Sequence, residues 1–242
     1  MSNPILNENR FNEQERILEG VPMTVNGTIQ VTAFLGLLLI CAATFVWSRM
    51  TAGYTDLAMM LTGGGIIVGF VLALIISFIK NKYLVPVYAV CEGCALGGIS
   101  AVFEAQFPGI VTQAVAGTFA ALFAMLVLYK MNLIRATDKF RSVIFITTAS
   151  IAGIYIVDII GRWLFHMHVP LINSASPAGI IVSLLIVAVA ALNLILDFDF
   201  IERGEQMMLP KDYEWYGAFG LMLTLVWLYL EILKLLAKVN RK

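Results

Sequence analysis

The sequence predicts an all-α fold, an integral membrane bundle of seven transmembrane helices, and three observations predict it. The 242 residues are 60% hydrophobic and only 13% charged, with mean hydropathy +0.87, more apolar surface than a water-exposed domain of this length hides. The apolar residues fall into seven runs, each close to the ~20 residues a helix needs to cross ~30 Å of hydrocarbon. Within the runs apolar and polar residues do not alternate as they do in barrel strands. Helices, which close their own backbone hydrogen bonds, are the remaining way across lipid.

Residues 1–27 read as a polar cytoplasmic leader and 28–242 as one transmembrane domain. Arg10, Arg16 and four glutamates (Glu8, Glu13, Glu15, Glu19) precede any apolar run, unlike a signal peptide. The predicted spans are Ile29–Trp47, Leu57–Ile79, Leu84–Phe103, Gly109–Tyr129, Val143–Ile160, Ala178–Leu196 and Trp215–Leu236. Lys80-Asn81-Lys82 separates the second and third. Gln106-Phe107-Pro108-Gly109 makes a tight turn before the fourth, and Pro177 stands where a helix start tolerates proline. No gap is long enough to house a second domain.

Lysine and arginine place the N-terminus inside. That orientation puts ten of them on inner segments (Arg10, Arg16, Lys80, Lys82, Lys130, Arg135, Lys139, Arg141, Arg203, Lys211) and only Arg49 and Arg162 on outer loops. Lys238, Arg241 and Lys242 in the tail run against this count, but early loops usually set topology. The expected location is the inner (plasma) membrane, with lipid as the surrounding partner. A net charge of zero gives no reason to expect nucleic acid. Cys41, Cys91 and Cys94 all fall inside spans and form no disulfide framework. Gly65 and Gly69, and Gly93 and Gly97, are spaced four apart, a spacing that lets helix backbones approach closely.

The chemistry must lie with carboxylates inside the spans. A charge at mid-bilayer costs several kcal/mol, so these groups face the bundle interior, a cavity or a partner. The candidates are Glu92 in the third span, Asp158 in the fifth, Asp197 and Asp199 at the end of the sixth, and Glu231 in the seventh. Asp158 has Arg162 one turn on, an ion pair near the interface. Glu104 ends the third span and reads as solvated. Asp197 and Asp199 point about 200° apart on a helix; Asp197 shares its face with Asn193, while Asp199 belongs to the boundary with Glu202 and Arg203. Glu231 has two candidate partners: Lys234 three residues on, or a carboxylate from another helix. Two carboxylates within hydrogen-bond range share a proton and titrate as a unit. Such a pair would hold two helices together when protonated, and repel or bind a hard cation when ionised.

Other chemistries read less well. Lys234 with Glu92 as counter-ion would suit a retinal Schiff base, but the acid expected four residues before the lysine stands three before. Ser100 in Gly98-Ile99-Ser100-Ala101 lacks an accessible base, because His166 and His168 fall in an outer loop. Cys91-Glu92-Gly93-Cys94 is a single CxxC within a helix, and zinc would need two further ligands. No catalytic constellation and no cofactor emerge, so an enzyme is not expected.

Several segments resemble the YccA/Bax-inhibitor family of seven-helix membrane proteins, in its bacterial uncharacterised branch. They are Ser2-Asn3-Pro4-Ile5-Leu6, Met23-Thr24-Val25, Tyr88 to Gly93 with Leu96-Gly97, Phe103-Glu104 and Pro108 to Val111. The longest are Asn193 to Gly204 (NLILDFDFIERG) and Tyr213 to Leu236 (YEWYGAFGLMLTLVWLYLEILKLL). The resemblance implies a bundle with the seventh helix at its centre. It implies a calcium leak gated by pH through paired aspartates on the sixth and seventh helices, with Ca²⁺ as transported or bound ion. Carried over, those positions are Asp197 and Glu231, glutamate replacing aspartate at the second. The family's second-helix arginine is missing from Leu57–Ile79, with Lys234 as an alternative positive charge. Asp197 and Glu231 are thus the expected latch, with Glu92, Asn193, Asp199 and Lys234 as accessories. The alternative is a regulator that conducts nothing and binds other membrane proteins, such as a membrane protease.

Depth sets a condition on the latch. Glu231 lies roughly 24 Å along its helix from Trp215, at 1.5 Å per residue. It meets Asp197 only if the first turns of the seventh helix project beyond the membrane.

Overall fold

A computed structural model describes residues 21–165 and 174–241. The described residues contain seven helices: α1 (Val25–Thr51), α2 (Thr55–Ile79), α3 (Leu84–Gln106), α4 (Ile110–Lys130), α5 (Asp138–Phe165), α6 (Pro177–Gln206) and α7 (Tyr213–Asn240). All seven are long and apolar enough to span a membrane. Every predicted span lies almost entirely within its helix, and the helices run on past the apolar runs. α5 starts five residues before Val143, and α6 continues to Gln206, ten beyond Leu196. Most of the expected leader, the Ser2–Leu6 segment, and His166 and His168 lie outside the described residues. α1 begins inside the expected leader, at Val25.

The helices alternate in direction, so one end of the bundle, here the lower, carries the α2–α3, α4–α5 and α6–α7 connections and the start of α1. The upper end carries the others. α7 packs against α1, α3, α4 and α6, and with α3 it supplies most of the buried core, including Ala89, Leu96, Met222, Leu228 and Leu233. The seventh helix is therefore central, as expected.

α3 is gripped by α1 and α2 through its small residues. A Cβ on Gly93 would stand 2.4 Å from the Leu39 carbonyl oxygen, and one on Gly97 would stand 2.4 Å from that of Ala43. Across the other face, a Cβ on Gly65 of α2 would lie 2.5 Å from the Cys91 carbonyl oxygen. These spacings admit only hydrogen, so the glycines serve helix contact and leave no room for a pore along them.

At the lower end the chain before α1 is clasped to the α6–α7 turn. Met23 N–H donates to the Leu209 carbonyl at 2.7 Å, and Lys211 N–H to that of Val21 at 3.1 Å. Thr24 caps α1, its hydroxyl accepting from Gly27 N–H at 2.9 Å. The Glu214 carboxylate accepts from Thr24 N–H at 3.0 Å and Glu205 accepts from Val25 N–H at 3.0 Å. Two carboxylates thus meet the positive end of the α1 dipole. Glu104 does the same for α4, accepting from Gly109 N–H at 2.6 Å and Val111 N–H at 3.1 Å. It is a cap, which corrects its reading as a solvated residue. Gly109, at φ +84, makes the left-handed step that brings those donors round.

Candidate functional site

The polar groups inside the spans concentrate between α5, α6 and α7. α7 carries Gly220, Thr224, Glu231, Lys234 and Lys238 along one side, at steps of four, seven, three and four that keep to one helical face. Thr224, Glu231 and Lys238 are buried.

Asp197 of α6 lies at the Gly220–Thr224 level of that face. Its Oδ1 is 3.6 Å from where a Gly220 Cβ would stand, and the Thr224 hydroxyl is beside its carboxyl. The other oxygen, Oδ2, is buried and has no hydrogen-bond partner among the described residues. Glu231 lies seven residues beyond Thr224, about 10.5 Å further up the helix. It is 2% exposed and has partners of its own. The Tyr155 hydroxyl of α5 reaches both carboxylate oxygens, at 2.9 and 2.8 Å, and Lys234 Nζ lies 3.0 Å from Oε1. The Lys234 ammonium also sits 4.6 Å from the Tyr155 ring centroid, a cation–π contact.

The expected latch between Asp197 and Glu231 is therefore corrected: the structure places them at successive heights along α7, each with different neighbours. The reason is register. The short α6–α7 turn makes the two helices antiparallel neighbours, so Asp197, nine residues before the end of α6, falls opposite residues about ten into α7.

Of the accessories, Lys234 stays with Glu231, and the other three disperse. Asn193 shares Asp197's stripe on α6 but turns to α5, its Nδ2 donating to the Thr148 hydroxyl at 2.9 Å. Asp199 pairs with Arg141 of α5 and, at 3.3 Å, with Arg203. Glu92 stands apart against α2, its Oε2 3.1 Å from a Cβ position on Gly69, so it joins neither Glu231 nor Lys234. Asp158 and Arg162 form the predicted pair at 2.8 Å. Higher on α7, Lys238 donates to the Ser183 hydroxyl at 2.6 Å and the Gly179 carbonyl at 3.3 Å. Among the described residues no group of three metal-ligating side chains could hold an ion. Cys91 and Cys94 are free thiols, and Ser100 is hydrogen-bonded to Tyr229 at 2.6 Å.

Tyr155 and Thr148 were not singled out from the sequence. Their signal is the spacing Arg141, Thr148, Tyr155, Arg162, four polar-tipped residues at intervals of seven on α5. The first three tie α5 to Asp199, Asn193 and Glu231 respectively. Among the described residues α5 otherwise packs on α6, beside a small apolar cavity of about 190 Å³ bordered by Ile151, Tyr155 and Ile186. Asp199, Asn193 and Glu231 are thus the anchors of one loosely packed helix.

No curated protein and no solved structure matches the chain. A family model described as Bax inhibitor 1 like matches residues 3–241.

Proposed function

Because the chain belongs to the Bax inhibitor 1-like family, and because its buried acids line the inner face of α5–α7, we propose that it is a slow, pH-sensitive cation leak and not an enzyme. Calcium is the ion its oxygen donors suit. One observation carries the reading: the buried, unpartnered Oδ2 of Asp197. A carboxylate oxygen inside hydrocarbon without a donor is expensive, and the site is relieved by a proton or by a cation. Competition between the two makes occupancy depend on pH. Glu231 is a second station about 10.5 Å above, held by Tyr155 and Lys234. The two acids act in series in this reading.

The test is calcium flux into proteoliposomes loaded with an indicator dye, across pH 6 to 8. The parent is expected to leak at a rate that changes with pH, and Asp197→Asn to flatten that change. Glu231→Gln is expected to alter the rate while a pH response remains, because Asp197 is intact. A parent without leak at any pH would overturn the proposal and favour a non-conducting regulator of other membrane proteins. An unchanged pH response in Asp197→Asn would remove Asp197 from it.

A further inference from the structure

A cavity of about 530 Å³ is separate from the acids. It lies between α1, α3, α4 and α7. α1 and α4 both pack on α7 yet make no contact with each other, so the cavity opens between them sideways, at the depth of the apolar spans. We propose that this cleft binds one acyl chain of a bilayer phospholipid.

Its chemistry is that of a dry site. Each threonine that lines it spends its hydroxyl on its own helix: Thr32 on the Thr28 carbonyl, Thr44 on that of Ile40 and Thr118 on that of Ala114, all at 2.8 Å. The other two hydroxyls, Ser100 and Tyr229, are 2.6 Å apart and satisfy each other. Water needs two to four polar partners to occupy a cavity, and this lining leaves almost none. An ion would fare worse.

Its shape selects the occupant. The α1 wall runs from Thr32 to Trp47, about 22 Å at 1.5 Å per residue. A cleft of that height, dry along its walls and open sideways at the depth of the spans, is filled by the hydrocarbon chains that surround it there. Trp47 closes the upper end, where an interfacial aromatic side chain sits naturally beside a headgroup. Gly36, in the middle of the α1 wall, keeps the cleft open: a Cβ there meets nothing within 4 Å.

Vesicles of phosphatidylcholine carrying a diazirine in the acyl chain test the proposal. After irradiation of the reconstituted protein, mass spectrometry maps the adducts. Adducts are expected on Met222 and Tyr229, only 4% and 8% exposed, in addition to outward-facing Leu37 and Phe123. Gly36→Phe should reduce the Met222 and Tyr229 adducts at least fivefold and leave those on Leu37 and Phe123 unchanged. Val115→Phe, from the α4 wall, repeats the block should the first variant fail to fold. Adducts confined to exposed residues in the parent would overturn the proposal, as would Met222 labelling that requires a free diazirine fatty acid and fails with the phospholipid.

Discussion

Removing Lys234 should harm the protein more than removing Glu231, although the two form one ion pair. The asymmetry follows from burial. The Glu231 side chain is 2% exposed and that of Lys234 is 43% exposed. With Lys234→Met, a buried carboxylate keeps the Tyr155 hydroxyl and the more distant Lys238 charge but loses its paired cation. Breaking a fully buried pair in this way costs about 3–5 kcal/mol, and the exposure of Lys234 brings the expectation down to about 2 kcal/mol. With Glu231→Met, the lysine stem can carry its ammonium outward, so the cost is about 1 kcal/mol, mostly the hydrogen bond that Tyr155 shares between the two carboxylate oxygens. The double variant leaves no stranded charge and should also cost about 1 kcal/mol. Compared with the roughly 3 kcal/mol sum of the single changes, the coupling is about 2 kcal/mol. Unfolding of the micellar protein in a denaturing detergent, followed by circular dichroism, measures all four corners. Single effects that add to within about 0.5 kcal/mol, or a Glu231 variant weaker than the Lys234 variant, would refute the reasoning.

Two further expectations concern the lower end. Glu214→Ala orphans the backbone and hydroxyl donors of Thr24 and should cost about 2 kcal/mol, with faster amide exchange confined to the first turn of α1. Exchange that stays as slow as in the parent would count against the clasp. Lys82 lies 2.6 Å from Asp212, and this hydrogen bond, aided by the opposite charge, raises the Lys82 pKa above its ordinary value. A raised lysine contributes at pH values below the ordinary lysine range and loses that contribution as pH rises through its own pKa. Asp212→Asn should therefore lower the titration of the Lys82 ammonium in an NMR titration at high pH and leave behaviour at pH 7 unchanged; an unmoved titration would rule the pairing out.

The spans were legible because each is a long apolar run, and length alone separates such runs from loops. Their ends were less so. Asp197 to Gln206 and Asp138 to Arg141 look like loop to a hydropathy reading, but their polar side chains find Arg141, Asp199, Tyr129 and Glu202 at the helix flank, and the backbone stays helical. The acids themselves were visible, since a carboxylate in an apolar run stands out. Partners on the same helix were visible too, Arg162 for Asp158 and Lys234 for Glu231, but partners on other helices were not. A partner depends on how far neighbouring helices slide and rotate, which spacing along one helix leaves undetermined. The match between Asp197 and Glu231 required a projecting α7; ordinary antiparallel register sets Asp197 against Thr224 instead. Tyr155 escaped notice for a different reason: tyrosine counts as apolar, and its one hydroxyl is invisible in a hydrophobic average.

Two ways of holding helices together divide this bundle, and they have different consequences for motion. α1, α2 and α3 touch through glycines at backbone distance; sliding any of them drives a carbonyl into a neighbouring chain, so that half is stiff against small displacements. α5 is different: a Cβ on its Gly153 would meet nothing within 4 Å. It leans on α6 beside a small void and is tied by Arg141–Asp199, Thr148–Asn193 and Tyr155–Glu231. Hydrogen bonds between membrane helices average about 0.6 kcal/mol and reach about 1.7 kcal/mol, so the three ties together are worth only a few kcal/mol. Breaking these three ties is therefore a low-cost step, within the range that populates a minor state at the per cent level or below. Because two of the three ties end on carboxylates, any proton or cation that occupies Asp199 or Glu231 competes directly with the attachment of α5, and the chemistry of the acids and the position of that helix form one equilibrium.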